Sequence, residues 1–372
     1  MRQQYGYIPV AHLPRICKRP LRGCRSWAAA AHLALLLLAV GGCTTAPPTD
    51  RTIVPREMPF AELFRLVRVI TPEQSPEAPI ALISGANWDG DHIAIADVSE
   101  SKLKLFDSEG LHVATAGRRG EGPGEFLQPR YPQLLDGRLF VADGASGRVS
   151  VWTIAGELDR EIETRIGYIS AFAAMPDGRL VFAGQGFGDS DAALGVYADD
   201  GARLMQGLDT NNVLPANADP SLPWGNMRQT HFAVSNDTAW AVSTISDSIW
   251  AVPLNRDEVR PESYQLDIPG YVAPAAPEIP LRSPRDLMEW GKSFHGAARP
   301  VASSELLVIP FVQGVLNYGD PTILVIRDRN GAWYALGDAP PVIAVSSERL
   351  LVIDNPLEET VRLAVYEKRP AD

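Results

Sequence analysis

A repeat of 46 residues is the feature that most constrains how this chain can fold. Shifting the sequence by 46 positions places "DHIAIADVSESKLKLFDSEG" (91–110) over "GRLFVADGASGRVSVWTIAG" (137–156). Both segments read as an apolar strand that ends in Ala-Asp, a polar turn, an alternating strand and a turn closed by glycine. A period in the forties with several strands per unit is typical of the blades of a β-propeller.

Four further segments repeat the same pattern more loosely: 178–201, 237–257, 305–331 and 348–368. The six units predict an all-β fold, a six-bladed β-propeller over 61–372, with five or seven blades as alternatives. A short helical insertion is expected over 284–294, because Ser283 can cap a helix and Pro284 suits its first position.

The segment "ELFRLVRVI" (62–70) precedes the first unit, whereas the sixth unit lacks a fourth strand. We expect this N-terminal strand to pair into the last blade and close the ring, which removes two open sheet edges. The same residues also fit one face of a helix, since Leu63, Leu66, Val67 and Ile70 recur at helical spacing.

Residues 1–42 have the composition of an export signal. Six basic and no acidic residues precede or flank the apolar run "AAAAHLALLLLAV" (28–40), which is shorter than the roughly 20 residues of a transmembrane helix. The ending Val40-Gly41-Gly42-Cys43 resembles the bacterial lipobox and implies a lipoprotein signal peptide over 1–42, with Cys43 lipidated. An ordinary signal peptide is the alternative. Residues 43–60 are expected to form a flexible tether.

The exported part of the chain is acidic, because 34 Lys and Arg face 45 Asp and Glu and the signal contributes only basic residues. This charge disfavours nucleic acid and anionic membrane surfaces as partners, so we expect membrane attachment through the lipid alone. The resemblance to lipoproteins implies the outer membrane, if the host has one, because Thr44 replaces the aspartate of inner-membrane retention. The three cysteines, Cys17, Cys24 and Cys43, leave the exported domain without a disulfide.

The stretch "GRRGEGPGEFLQP" (117–129) invites comparison with phosphate-binding loops. It fits neither the P-loop nor the dinucleotide motif, since Pro123 and Gly124 stand where Lys and Ser/Thr are needed and Glu125 stands where a glycine is needed. Glycines that allow tight bends predict a connector between blades. Arg118, Arg119 and Arg130 remain candidates for contacting a ligand.

Three aspartates, Asp97, Asp143 and Asp354, end the second strand of their units. Two functions are open for them: capping turns by accepting backbone N–H bonds, or forming a ring of carboxylates around a cation. Gly184 and Ser243 replace the aspartate in two other units, which favours the capping function. The four histidines after Cys43 form no metal-binding spacing.

Two insertions, near 205–228 and 269–296, interrupt the repeat and carry Trp224 and Trp290. Aromatic residues on long loops of a rigid scaffold are common binding residues, although they also serve to pack such insertions. His231 lies just before or within an inner strand. The candidate ligand-binding residues are therefore Arg118, Arg119, Arg130, Trp224, His231 and Trp290.

With these units, the chain resembles NHL-type six-bladed propellers and, over about 80–370, six-bladed β-propeller lipoproteins of bacteria. We therefore expect an exported protein, lipid-anchored to the cell envelope, that acts as a non-catalytic ligand- or protein-binding scaffold without a cofactor. Its partner would be an envelope protein or a small-molecule ligand, and a structural subunit of an envelope complex is a related possibility. The alternative is a metal-dependent enzyme of the lactonase or lyase type, with Ca²⁺ or Zn²⁺ in the central tunnel.

Overall fold

The structure is a computed structural model. It describes residues 51–75, 79–164, 166–185, 192–209, 229–255, 261–275, 283–314, 322–354 and 360–370. In these residues the chain forms six sheets of four to six strands, with two short helices, and is a six-bladed β-propeller. The all-β six-bladed fold predicted from the repeat is confirmed.

The chain enters the fold through β1 (Arg51–Ile53), β2 (Arg56–Glu57), α1 (Phe60–Leu63) and β3 (Phe64–Ile70). Blade 1 contains β4–β7 (Ile83–Trp88, His92–Asp97, Lys102–Asp107, His112–Ala116). The short strands β8 (Arg118–Arg119) and β9 (Glu125–Phe126) follow. Blade 2 contains β10–β13 (Pro129–Leu135, Arg138–Asp143, Arg148–Thr153, Leu158–Glu163). Blade 3 contains β14–β17 (Tyr168–Ala174, Leu180–Gln185, Ala192–Tyr197, Arg203–Asp209).

Blade 4 contains β18–β21 (Thr230–Ser235, Thr238–Ser243, Ser248–Pro253, Glu262–Leu266). Helix α2 (Pro284–Gly291) precedes blade 5. Blade 5 contains β22–β26 (His295–Ala297, Val301–Ala302, Leu306–Gln313, Thr322–Asp328, Trp333–Ala339). Blade 6 contains β27–β29 (Val342–Ser346, Arg349–Ile353, Leu363–Lys368).

The units found in the sequence correspond to the second and third strands of each blade. In blades 1 and 2 the register pairs Asp97 with Lys102 and Asp143 with Arg148, so the 46-residue shift superposes the two hairpins. These strands lie inside their sheets and pack on both faces, which makes them nearly continuously buried. Their uniform surroundings explain why the repeat is clearest there.

The first strands of the blades surround the axis of the propeller. Each contacts the first strand of the next blade, in the cyclic order β4, β10, β14, β18, β23, β27 and back to β4. Further out, the buried apolar residues of the described chain form six clusters, one between each pair of neighbouring blades. The core is therefore a ring of interfaces, which holds the inner strands in fixed positions around the axis.

The N-terminal segment lies along the outer edges of three blades. Strand β3 pairs antiparallel with β29, with Ile70 opposite Leu363, and forms the fourth strand of blade 6. Strands β1 and β2 add parallel strands outside β21 of blade 4 and β26 of blade 5. Residues 51–53 and 56–57, which we predicted as part of a flexible tether, are thus paired, because these outer edges offer free backbone groups.

The helical insertion lies where the sequence predicts it but is shorter, since α2 ends at Gly291 instead of residue 294. The hydroxyl of Ser283 accepts a hydrogen bond from the N–H of Asp286 (3.2 Å), as the predicted cap requires. The chain then turns towards β22, and Phe294, directly before this strand, is buried against the ring of Trp290. None of the helices in the described ranges is long and apolar enough to cross a membrane.

Candidate functional site

The glycine loop 117–129 is a connector held by its own hydrogen bonds. Glu125 pairs with Arg118 (2.8 Å) and accepts the N–H of Gly122 (2.9 Å), and these two groups lower the pKa of its carboxyl. Phe126 is fully buried between blades 1 and 2. A Cβ atom at Gly117, where φ is +78°, would collide with the Phe126 ring, so glycine is required there. The loop is shaped by packing, as predicted.

Two of the three aspartates proposed from the sequence, Asp97 and Asp143, act as caps. Asp143 accepts the N–H groups of Leu127, Gln128 and Ala145 at 2.8–3.1 Å. Asp97 accepts four backbone N–H groups and also the ammonium of Lys104 (2.7 Å), with both side chains fully buried. Each carboxylate ties the start of its blade's first strand to the following turn. Asp354 forms an ion pair with Arg362 (3.0 Å).

A group of side chains from different blades meets at the axis, near the beginnings of the first strands. We call it the axial cluster. It consists of Arg130 and Tyr131 from β10, Tyr168 and Ser170 from β14, His231 from β18, and Arg299 between β22 and β23, facing Gly85 of β4.

Arg299 crosses from blade 5 towards blades 1 and 2. Its guanidinium lies over the Tyr131 ring, 4.5 Å from the centroid, in a cation–π contact. A Cβ atom on Gly85 would lie 2.9 Å from Nη1 of Arg299, so the missing side chain of Gly85 provides the space that this guanidinium occupies. Among the residues that the structure describes, no carboxylate pairs with Arg299. Burial lowers the pKa of Arg299 to about 10, which leaves it charged at neutral pH.

Tyr131 is held in an unusual backbone conformation. Its φ is +54°, a left-handed value that is an outlier for a bulky residue, and it lies in a β-bulge between Arg130 and Gln133. The other non-glycine residues with positive φ in the described chain are small polar residues, Asp, Asn or Ser. Strain of this kind concentrates at functional sites. Here it places the phenol ring beneath the Arg299 guanidinium.

His231 is neutral and has a defined tautomer. Its Nδ1 lies 3.0 Å from the carbonyl oxygen of Ser170, which can only accept, so Nδ1 carries the proton and Nε2 is an acceptor. Burial lowers the pKa of His231 to about 4; the bond to Ser170 opposes this shift, and the charges of Arg299 and Arg130 reinforce it. Nε2 makes no hydrogen bond to a described residue. The site thus combines a cationic donor with a neutral acceptor.

Among the proposed residues that the structure describes, Arg130 and His231 are brought together. The Arg130 guanidinium lies 6.0 Å from the centroid of the Tyr168 ring, at the edge of the axial cluster. Arg118 and Arg119 are exposed on the glycine loop, and no contact joins them to the cluster within the described chain. Trp290 donates its indole N–H to the carbonyl of Ala275 (2.9 Å) and thereby packs its insertion. Trp224 and Cys43 lie outside the described residues.

A cavity of about 860 Å³ opens on the opposite face of the propeller, beside blade 6. Several of its cations have carboxylate partners: Arg65 and Arg349 both pair with Glu367 (2.6 and 3.0 Å), and Lys368 pairs with Asp328 (3.1 Å). Arg369, which also lines the cavity, donates to the carbonyl of Ala61 (3.0 Å). In the axial cluster, by contrast, the guanidinium of Arg299 has an aromatic ring as its partner.

Sequence reasoning missed Arg299, Tyr131, Tyr168 and Gly85. They lie on or beside first strands, and the repeat was recognised in the second and third strands. The sequence signal for them is that first-strand residues differ from blade to blade. No three His, Cys, Asp or Glu side chains form a metal-binding group in the described part of the chain.

Comparisons with known proteins agree on the architecture. A family model, DUF5128, described as a 6-bladed beta-propeller, matches residues 51–206. A Bacteroides fragilis protein described as exported is similar over 87% of this chain and 100% of its own, with a TM-score of 0.60 and 12% identity. A DUF4221 family member from Bacteroides vulgatus covers 83% of this chain and 99% of its own, with a TM-score of 0.59 and 10% identity. No curated protein matches the chain.

Proposed function

We propose that this chain is an exported binding protein, lipid-anchored to the bacterial envelope through Cys43, that holds a small-molecule ligand at the axial cluster. The basic and apolar start of the sequence and its ending at Cys43 support export and lipidation. The similarity to a Bacteroides fragilis propeller described as exported supports the same location. The acidic composition supports attachment through a lipid, because it provides no basic surface for anionic membranes.

The observation that carries the binding function is the position of Arg299. A partly buried guanidinium is retained when it is paired or hydrogen-bonded, because removing a charge from water is unfavourable. Arg299 has the Tyr131 ring on one side and the backbone of Gly85 on the other, and no described carboxylate pairs with it. Such convergent polar groups among aromatic walls are typical of small-molecule sites.

Ligand binding can be tested by a thermal-shift screen of the full-length chain in detergent against chemically diverse metabolites. Compounds that bind at the axis are expected to raise the melting temperature of the wild type. The Arg299→Gln variant should lose this response. Arg119→Gln, which removes the same kind of side chain from the glycine loop, should keep it. If ligands still raise the melting temperature of Arg299→Gln but no longer raise that of Arg119→Gln, the ligand binds at the glycine loop and the axial assignment is wrong.

The anchor is tested separately by Cys43→Ser. We expect this variant to lose incorporation of a labelled fatty acid and to leave the membrane fraction on mild washing, because its only lipid attachment point is gone. Cys24→Ser, which lies within the predicted signal, should be lipidated as the wild type is. Membrane association of Cys43→Ser at the wild-type level would contradict the anchor.

A further inference from the structure

The chemistry of the axial cluster restricts the ligand class. We infer that the site binds a small organic monoanion whose carboxylate is held by Arg299 and whose neighbouring hydroxyl group donates to His231, as in hydroxy acids and uronic acids. This inference rests on the proposed function and adds the identity of the binding groups. It follows from three properties of the cluster: charge, donor and acceptor pattern, and rigidity.

The charge of the cluster calls for an anion. Arg299 lacks a carboxylate partner among the described residues, and Arg130 adds a second guanidinium close enough to influence both Arg299 and His231. A guanidinium presents a planar set of N–H donors that matches the two oxygens of a carboxylate. No described carboxylate forms an ion pair with Arg299, so the ligand supplies the counter-charge of this guanidinium.

The hydrogen-bond acceptor Nε2 of His231 restricts the class of ligand further. Because Nδ1 donates to the Ser170 carbonyl, Nε2 offers a lone pair, and a neutral imidazole repels neither an anion nor a hydroxyl dipole. An anion without a donor would leave Nε2 unused. A ligand that carries a hydroxyl near its carboxylate satisfies both groups. A phosphate dianion fits less well, since its larger charge would favour a protonated imidazole at this position.

The cluster is rigid, which favours selectivity for a small ligand. Tyr131 is fixed by its bulge, and the Ser170 hydroxyl donates to the Thr230 carbonyl (2.6 Å), which locks β14 against β18. Ser84 similarly donates to the Pro129 carbonyl (2.6 Å) and locks β4 against β10. The residues of the axial cluster therefore lie on or beside strands that are hydrogen-bonded to their neighbours. Preorganised groups of this kind lose little freedom on binding.

The test uses four matched probes and the full-length chain in detergent. D-Glucuronate carries the carboxylate and the hydroxyls, D-glucose lacks the carboxylate, acetate lacks the hydroxyls, and D-glucose 6-phosphate replaces the carboxylate by phosphate. Binding is measured by calorimetry, and the His231 ring nitrogens are followed by NMR with ¹⁵N-labelled histidine. We expect D-glucuronate to bind one per chain, to shift the His231 signals and to bind more tightly than the other three.

Two variants locate the binding groups. Arg299→Gln removes the guanidinium and should weaken D-glucuronate binding by about tenfold or more. Gly85→Ala keeps the guanidinium but places a methyl group 2.9 Å from its Nη1 and 3.2 Å from the backbone nitrogen of Tyr131, so it should weaken binding by disturbing the contact between Arg299 and Tyr131. Arg119→Gln should bind as the wild type does. Because Gly85→Ala retains every polar group, it tests the geometry even if Arg299→Gln folds poorly.

Every other outcome contradicts either the proposed ligand class or the axial site. If D-glucose or D-glucose 6-phosphate shifts the His231 signals and D-glucuronate does not, the ligand class is wrong while the axial site stands. If D-glucuronate binds equally well to the wild type, Arg299→Gln and Gly85→Ala, the axial site itself is wrong and the proposed function fails with it. If none of the four probes shifts His231, the inference about carboxylates is wrong, and the metabolite screen alone decides the proposed function.

Discussion

At the scale of single residues, Asp97 shows that one repeat position can contribute differently to the free energy of unfolding in different blades. Asp97 and Asp143 occupy equivalent positions and cap equivalent turns. Lys104 is buried beside Asp97, whereas Ser150 stands at the matching position in blade 2. Burial opposes ionisation of Asp97, but the backbone N–H of Ala81 and the Lys104 ammonium hold its pKa below the ordinary value.

Asp97→Ala is therefore expected to lower the free energy of unfolding by about 3–5 kcal/mol, because it leaves the buried Lys104 ammonium unpaired. Asp143→Ala should lower it by about 1–3 kcal/mol, the effect of unsatisfied backbone N–H groups. Urea unfolding measures both. The double variant Asp97→Ala/Lys104→Met should recover part of the loss. Equal losses for Asp97→Ala and Asp143→Ala would contradict the buried ion pair.

His231 makes the stability of the fold depend on pH in a defined direction. Its pKa is lowered by burial to about 4 from an ordinary 6.5, so the unfolded chain binds this proton more readily. The contribution of His231 to stability is complete above about pH 6.5 and is lost as the pH falls towards 4. His231→Gln should flatten the dependence of the urea midpoint on pH between 6.5 and 4. An unchanged slope in this variant would contradict a buried neutral imidazole.

At the scale of secondary structure, β3 has the most consequential position. It is the fourth strand of the last blade, although it comes from the beginning of the propeller sequence. Phe64 at its start is 1% exposed and stacks on Phe60 with ring centroids 5.3 Å apart, whereas Leu66 is 53% exposed. The two side chains on one strand thus provide a matched pair for testing how β3 packs.

Phe64→Ala should lower the free energy of unfolding by about 3–5 kcal/mol, because it leaves a cavity between blades 5 and 6. Leu66→Ala on the same strand should change it by no more than about 0.5 kcal/mol. Chemical denaturation followed by tryptophan fluorescence provides the measurement. Similar small effects for both variants would mean that β3 does not pack into blade 6 as described.

The strands differ in how far the sequence predicts them, and the reason is physical. Second and third strands have similar surroundings in every blade, so their alternation, their aspartate and their turns recur. First strands face the axis, where side chains from different blades meet, and β4, β10, β14 and β27 contain bulges that break simple alternation. Short outer strands such as β1 pair with an edge that only the folded propeller presents. The candidate site lies among the elements that the repeat describes least.

At the scale of the whole molecule, the two faces of the propeller have different properties. The beginnings of the first strands, the turns between second and third strands and the connections between blades lie on one face, together with the axial cluster. The long connection that carries α2 lies on this face as well, between β21 and β22. The other face carries the cavity beside blade 6, where Arg65 and Arg349 pair with Glu367. We place the ligand on the first face, because Arg299 there has an aromatic ring and no carboxylate partner among the described residues.

The most direct test of the axial site is a crystal structure of the protein grown with D-glucuronate. The account predicts ligand density at the axis, with a carboxylate oxygen within hydrogen-bond distance of the Arg299 guanidinium and a hydroxyl within that distance of Nε2 of His231. Density for the ligand on the 117–129 loop or in the cavity beside blade 6, with none at the axis, would contradict it.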